Sequence, residues 1–157
     1  MASGETAMDG DEPIHPEAAV APGFLANHAA RIFNRAIDAA LREHGLSLSL
    51  LGPLLLLSWK GPTRQRDLVA ASAVKQPAMV ALLDKLERME LVTRAPAADD
   101  RRATIVSLTS TGARLADIGG DALRRENARA LAAFSARDGA MLVALLQRFI
   151  HALDAGT

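Results

Sequence analysis

Apolar residues recur close to helical spacing in the first well-patterned stretch of the chain: Phe24, Leu25, Ile32, Phe33, Ile37 and Leu41. Arg31, Arg35, Asp38 and Arg42 stand between them, so the pattern predicts an amphipathic helix from about Phe24 to His44, ended by Gly45. The leucine-rich run Leu46–Leu57 is far shorter than the roughly twenty apolar residues of a bilayer crossing. It predicts a buried core helix over Ser49–Trp59, bent or started at Pro53 and closed by Gly61-Pro62. Thr63 then offers a hydroxyl cap to a short helix, Arg64–Ala71. A break near Ser72–Val74 leads into a second helix, Gln76–Met89, with Pro77 in its first turn, where the missing N–H costs little.

The pattern then changes. Leu91–Arg94 and Thr104–Leu108 are short β-prone runs around a polar tip, Pro96–Arg102, and predict a hairpin. Thr109 is placed to cap a long helix from Ser110 to about Phe134. Gly119-Gly120 inside that helix costs about 1 kcal/mol each relative to alanine, which suggests a bend or a close helix contact, with a hinge as the alternative. Ser135 starts a last helix, with Asp138 three residues on in the manner of a capping box. Met141, Leu142, Leu145, Leu146, Phe149, Ile150 and Leu153 form one broad stripe along it.

These elements make a mainly α protein with a small β-hairpin wing: a winged helix-turn-helix flanked by N- and C-terminal dimerisation helices. The expected division is an acidic arm over 1–23, a dimerisation helix over 24–47, the winged helix-turn-helix over 48–108, and the long and C-terminal helices over 109–157. The terminal stripes are broader than one small domain covers, so an intertwined homodimer is expected ahead of an intramolecular bundle.

Composition narrows the chemistry. Cysteine is absent, which removes disulfides and thiolate metal sites, and tyrosine is absent too. The zero net charge hides an asymmetry. Residues 1–23 carry Glu5, Asp9, Asp11, Glu12 and Glu17 with no Lys or Arg, whereas residues 60–108 carry nine basic and six acidic side chains. The acidic arm has the Gly, Pro and charge content of a disordered tail and lacks the basic start and apolar core of a signal peptide, so a cytoplasmic protein without a membrane partner is expected. His15, His28, His44 and His151 form no H-x-x-x-H or H-x-H pair, so neither a metal site nor a cofactor is expected. No Gly-rich phosphate loop or nucleophile elbow points to an enzyme.

A hairpin carrying two arginines directly after a helix-turn-helix points instead to duplex DNA. With Met79, Leu82, Leu83, Leu86 and Met89 turned inward, the second helix presents Lys75, Gln76, Pro77, Ala78, Val80, Ala81 and Lys85. Gln76 suits an adenine edge, and Ala78, Val80 and Ala81 suit thymine methyls. Lys75 and Lys85 suit phosphates. Arg101 and Arg102 at the hairpin tip are placed for a minor groove, where a neighbouring carboxylate would hold a guanidinium in one orientation. The alternatives are an ordinary surface helix and a self-neutralising turn, and, for the whole chain, a winged-helix module that binds protein.

The segment LLDKLERMELVTRAPAADDRRATIVSLTSTG resembles the MarR family of transcriptional regulators, with Asp100, Arg102, Val106, Leu108, Thr109 and Gly112 at the family's spacing. The resemblance extends over roughly residues 24–153. It implies that Arg102 is the wing arginine and Asp100 its orienting partner. It further implies a triangular homodimer on a pseudo-palindromic operator, and a repressor released by a small aromatic or phenolic compound. His28, Arg31 and Trp59 would line the pocket for that effector, Trp59 being alternatively a core or rim aromatic. Three positions depart from the family pattern: Glu90 stands where glycine is usual, Ala81 where a polar or basic residue is common, and Lys75 where a small capping residue is common.

Overall fold

The computed structural model describes residues 15–156. Glu5, Asp9, Asp11 and Glu12, and most of the predicted disordered arm with them, lie outside the described residues. The remainder of that arm is structured: a 3-10 turn covers Ala18–Val20, and α1 (Pro22–Leu41) begins two residues before the expected Phe24. Pro22 at the first helical position explains the earlier start, because its fixed φ is already helical and an N–H there would have no partner.

The described residues divide into two compact units, one ending at Arg35 and the other beginning at Ala36. In the first, α1 exposes Phe24, Leu25 and Ile32 along one stripe. In the second, the end of α1 buries Ile37 and Leu41 before a 3-10 turn, Arg42–His44, that Gly45 closes at φ 68°. The elements that follow are α2 (Leu48–Lys60), β1 (Thr63–Arg64), α3 (Gln65–Ala70), α4 (Gln76–Arg88), β2 (Val92–Pro96), β3 (Thr104–Leu108), α5 (Ser110–Leu131) and α6 (Ala136–Asp154). Among the described residues no single helix is long and apolar enough to cross a membrane.

The core of the second unit is leucine. Leu50, Leu51, Leu54, Leu55 and Leu57 of α2 are buried with Leu68, Met79, Leu83, Leu86 and Val106. α2 neither starts at Pro53 nor breaks into two helices there, but begins at Leu48 and runs through the proline. An interior proline costs about 3 kcal/mol, and burying each of five leucines returns about 1.5–3 kcal/mol, so packing overrides the local preference. The first N–H of α2, on Leu48, is capped from ten residues upstream by Asp38 Oδ1 at 2.7 Å.

Thr63 does not cap α3. It lies in β1, opposite Val106, and its hydroxyl donates to the Gly61 carbonyl at 2.8 Å, while Arg64 takes the N-cap position without a side-chain bond. Gly61, at φ 75° and ψ −162°, sets the chain in the direction that lets those two residues pair. The result is a three-stranded antiparallel sheet, ordered β1-β3-β2, with Val92 opposite Leu108 and Pro96 opposite Thr104.

α4 ends in a Schellman turn. Leu91 N–H donates to Leu86 O and Glu90 N–H to Glu87 O, both at 2.9 Å, and Leu86 and Leu91 are buried against the turn. The residue that must turn left-handed is Glu90, at φ 58°, the position at which the family pattern has glycine. A left-handed non-glycine residue costs about 1–2 kcal/mol. Glu90→Gly is therefore expected to stabilise the protein by about 1 kcal/mol after glycine's own entropy cost, measured as a rise in the urea midpoint at unchanged m-value.

Thr109 joins four elements. Its backbone N–H donates to Leu91 O at 3.0 Å and its hydroxyl donates to Glu90 O at 2.7 Å, while the same hydroxyl oxygen accepts Gly112 N–H at 3.0 Å to cap α5. Gly112 rests on the Leu91 carbonyl, and farther along α5 Gly119 rests on the Leu51 side chain of α2. The glycine pair is thus a close helix contact at Gly119, whereas a Cβ on Gly120 would meet nothing nearer than 3.4 Å. α5 stops at Leu131, three residues short of the expected end. Ser135 then caps α6: its hydroxyl oxygen accepts Asp138 N–H at 3.1 Å and its O–H donates to Asp138 Oδ2 at 2.8 Å. Within the second unit the stripe on α6 is left open, with Leu146 41% and Ile150 57% exposed.

Candidate nucleic-acid interface

α3 and α4 form the helix-turn-helix. Leu68 of α3 and Met79, Leu83 and Leu86 of α4 are fully buried, which fixes the roll of α4. Ser72 sets the turn between them: its hydroxyl oxygen accepts Val74 N–H at 3.2 Å and its O–H donates to Val69 O at 3.2 Å. Lys75, Gln76, Pro77, Ala78, Ala81 and Lys85 are consequently exposed on the opposite face, with Val80 half-buried at its edge. Leu82 and Met89 are half-buried, not fully inside. Lys75 holds the N-cap position without a side-chain bond, as its lack of an acceptor requires.

β2 and β3 carry the wing. Its tip is closed by Ala97 N–H to Ala103 O at 2.8 Å and Ala103 N–H to Asp100 O at 2.9 Å. Asp100 Oδ1 accepts the main-chain N–H of Arg102 at 3.0 Å, so this carboxylate shapes the turn that presents Arg102 and does not hold its guanidinium. The adjacent Asp99 accepts from Arg64 Nη2 at 2.5 Å, which moors the tip to β1. Arg101 and Arg102 stay exposed.

Arg94, at mid-β2, fixes the root of the wing against α4. Its Nε donates to Glu87 Oε2 at 3.0 Å, and its Nη2 donates to Glu87 Oε2 at 2.5 Å and Asp84 Oδ1 at 2.6 Å. The hydrogen bond from Arg94 holds the Glu87 carboxyl below its ordinary value, and the same bond raises Arg94. A depressed carboxyl stabilises the fold above its unfolded pKa of about 4.3, and that contribution fades as pH falls through the lowered value.

Two clefts flank the wing. One, of about 220 Å³, lies between α3, the first residue of α4 and the wing, and is lined by Arg64, Arg66, Gln76 and Arg102. The other, of about 310 Å³, is lined by Arg94, Pro96 and Arg101. The two wing arginines therefore serve different clefts. Sequence reading missed Arg64, Arg66 and Arg94. The first two fell in a stretch read only as a short helix, and the partners of Arg94 are not next to it in sequence.

The residues expected for an effector pocket fall in separate units. In the first unit His28 Nδ1 lies 3.0 Å from Arg31 Nη2 and its ring stacks on Phe24 at 6.0 Å. In the second, Trp59 at the end of α2 is 73% exposed, and so is not a core aromatic. Among the described residues no group of three or more His, Cys, Asp or Glu side chains is arranged to hold a metal.

Residues 46–104 match the family model described as the MarR family. The chain is 32% identical over 90 residues to the HTH-type transcriptional repressor NicR of Pseudomonas putida, a match spanning 57% of either chain. The fold superposes on S. aureus MepR in its DNA complex with a TM-score of 0.79 at 19% identity, covering 84% of this chain and 98% of that one. It superposes on the PcaV transcriptional regulator of Streptomyces coelicolor, solved with its natural ligand, with a TM-score of 0.75 at 20% identity, covering 89% and 99%. The last two likenesses establish the winged-helix fold.

Proposed function

We propose that this chain is a MarR-family winged-helix regulator that represses transcription by binding a pseudo-palindromic operator as a homodimer, a reading supported by the family match and the repressor relative. One observation carries the DNA reading. A single cleft is lined by α3, by Gln76 at the start of α4 and by Arg102 of the wing, so helix and wing present one continuous basic face. Lys75 and Lys85 flank that face as phosphate contacts, with Gln76, Pro77, Ala78 and Ala81 toward the major groove and Arg101 at the wing tip. The open stripes of α1 and α6 support the dimer. A small aromatic or phenolic effector is the proposed release signal, with His28 and Arg31 as polar contacts. The ligand-bound state of PcaV supports the existence of an effector.

The test is a gel-shift titration on the DNA flanking the protein's own gene, across salt and against unrelated competitor duplex. Selective binding that weakens with salt is expected. Arg102→Ala should weaken it about tenfold or more with an unchanged melting temperature, as for the loss of a contact worth about 1–3 kcal/mol. A folded dimer with no DNA preference, retained instead on a protein partner, would replace this reading with that of a protein-binding module.

A further inference from the structure

We propose that the Arg64–Asp99 pair is an autoinhibitory latch: in the free protein the Asp99 carboxylate holds the place on Arg64 that an anion of bound DNA takes over. The inference rests on the DNA-binding reading and concerns what the protein must give up internally before it binds. Four carboxylates act on the wing, and they are held differently. Asp84 and Glu87 share Arg94 at the root, where the guanidinium is half-buried and bonded to both. Asp100 is tied into the wing turn, through its carboxylate to Arg102 N–H and through its carbonyl to Ala103 N–H. Asp99 is the exception. Its side chain is 70% exposed, and Arg64 Nη2 is its one partner among the described residues.

The bond joins positions 35 residues apart, β1 and the wing tip, so breaking it undoes no cap, turn or strand pairing. An ion pair that water reaches on one side is weak and exchangeable. Arg64 supplies the other half of the argument. Only 25% of its side chain is exposed, against 71% for Arg66, whose nearest carboxylate contact is a loose 3.5 Å approach to Asp67. One arginine is thus kept in reserve, neutralised by an anion carried on the same chain. Carboxylate and phosphate offer a guanidinium the same planar pair of oxygens, so one replaces the other like for like. Opening the latch costs the same for every duplex. It therefore lowers occupancy of unrelated DNA without changing which sequence is preferred.

A double-variant cycle tests the latch, with affinities read by fluorescence anisotropy at fixed salt on a duplex from the DNA flanking the gene and on an unrelated duplex. Asp99→Asn is expected to tighten binding to both duplexes, and Arg64→Ala to weaken it. Asparagine also removes a negative charge near the DNA, and the cycle subtracts that effect. The gain from Asp99→Asn should be about two- to fivefold larger with Arg64 present than in the Arg64→Ala background, the range of an exposed ion pair. Equal gains would mean charge repulsion alone and would overturn the latch. Weaker binding by a folded Asp99→Asn protein would overturn it too, because the pair would then be a brace kept in the complex. A second readout is the Arg64 Nε–H resonance. It should shift in DNA-free Asp99→Asn and, in the wild type, move as duplex is added; a resonance that stays in place at saturation shows a pair that never opens and removes the latch. If the wild type binds neither duplex, the regulator reading fails and the latch with it. If it binds and the cycle shows no coupling, the latch alone fails.

Discussion

Gly112→Ala is expected to lower stability by about 3 kcal/mol, the upper part of the range for overpacked sites, and the melting temperature by roughly 6–12 °C. A Cβ at this position would overlap the Leu91 carbonyl oxygen and stand 2.9 Å from the carbonyl carbon. Both obstacles are backbone, and that same carbonyl accepts the Thr109 N–H. Relief therefore requires moving the start of α5 away from Leu91, at the turn into β2, which breaks the junction at Thr109. Two controls on the same helix separate sterics from propensity. Gly119→Ala would press on Leu51, whose side-chain end can rotate, so its cost is smaller. Gly120→Ala has room, and gains up to about 1 kcal/mol of helix propensity. Thermal melts followed by circular dichroism should rank Gly120→Ala highest and Gly112→Ala lowest; a Gly112→Ala protein melting with the wild type would show that the contact between α5 and the Leu91 carbonyl is not tight.

The second large effect concerns assembly. The double variant Leu146→Glu, Ile150→Glu places two carboxylates one helical turn apart on the open stripe of α6. If that stripe is the dimer interface, sedimentation should show a monomer. Operator affinity should fall by about 10²-fold or more, because the two half-sites no longer bind as one unit. Neither residue is buried within the chain, so the melting of the monomer should remain cooperative. A dimer of unchanged mass and DNA affinity would move the interface elsewhere.

Much of this was legible in the sequence, and the exceptions have physical causes. β-prone residues located β3, and periodicity located α1, α4 and the stripe of α6, because their apolar residues recur at the spacing of one helix face whether or not that face is covered within the chain. It also selected the exposed face of α4, since Met79, Leu83 and Leu86 leave only one outward direction. It could not find β1: two residues are too few to show a period of two, and the glycine turn that aims them at β3 is a tertiary match. Thr63, a good cap by local rules, was taken by that strand. Pro53 looked like a boundary because local propensity disregards the leucines on either side. At the interface, Asp99 and Arg64 are 35 positions apart, and nothing between them in sequence announces the pair. Asp100 was expected to hold the Arg102 guanidinium, whereas its carboxylate accepts the main-chain N–H of Arg102, a turn bond that residue types alone do not announce.

The exposed position of Trp59 has a practical consequence for optical work. It is the chain's one tryptophan, and there is no tyrosine, so ultraviolet-excited emission arises essentially from a single indole at the end of α2. Water already surrounds most of that indole in the native state, so its spectrum should change little when the core melts. The chromophore that serves many proteins as a stability gauge would here be nearly silent to unfolding, yet free to respond when anything docks beside it.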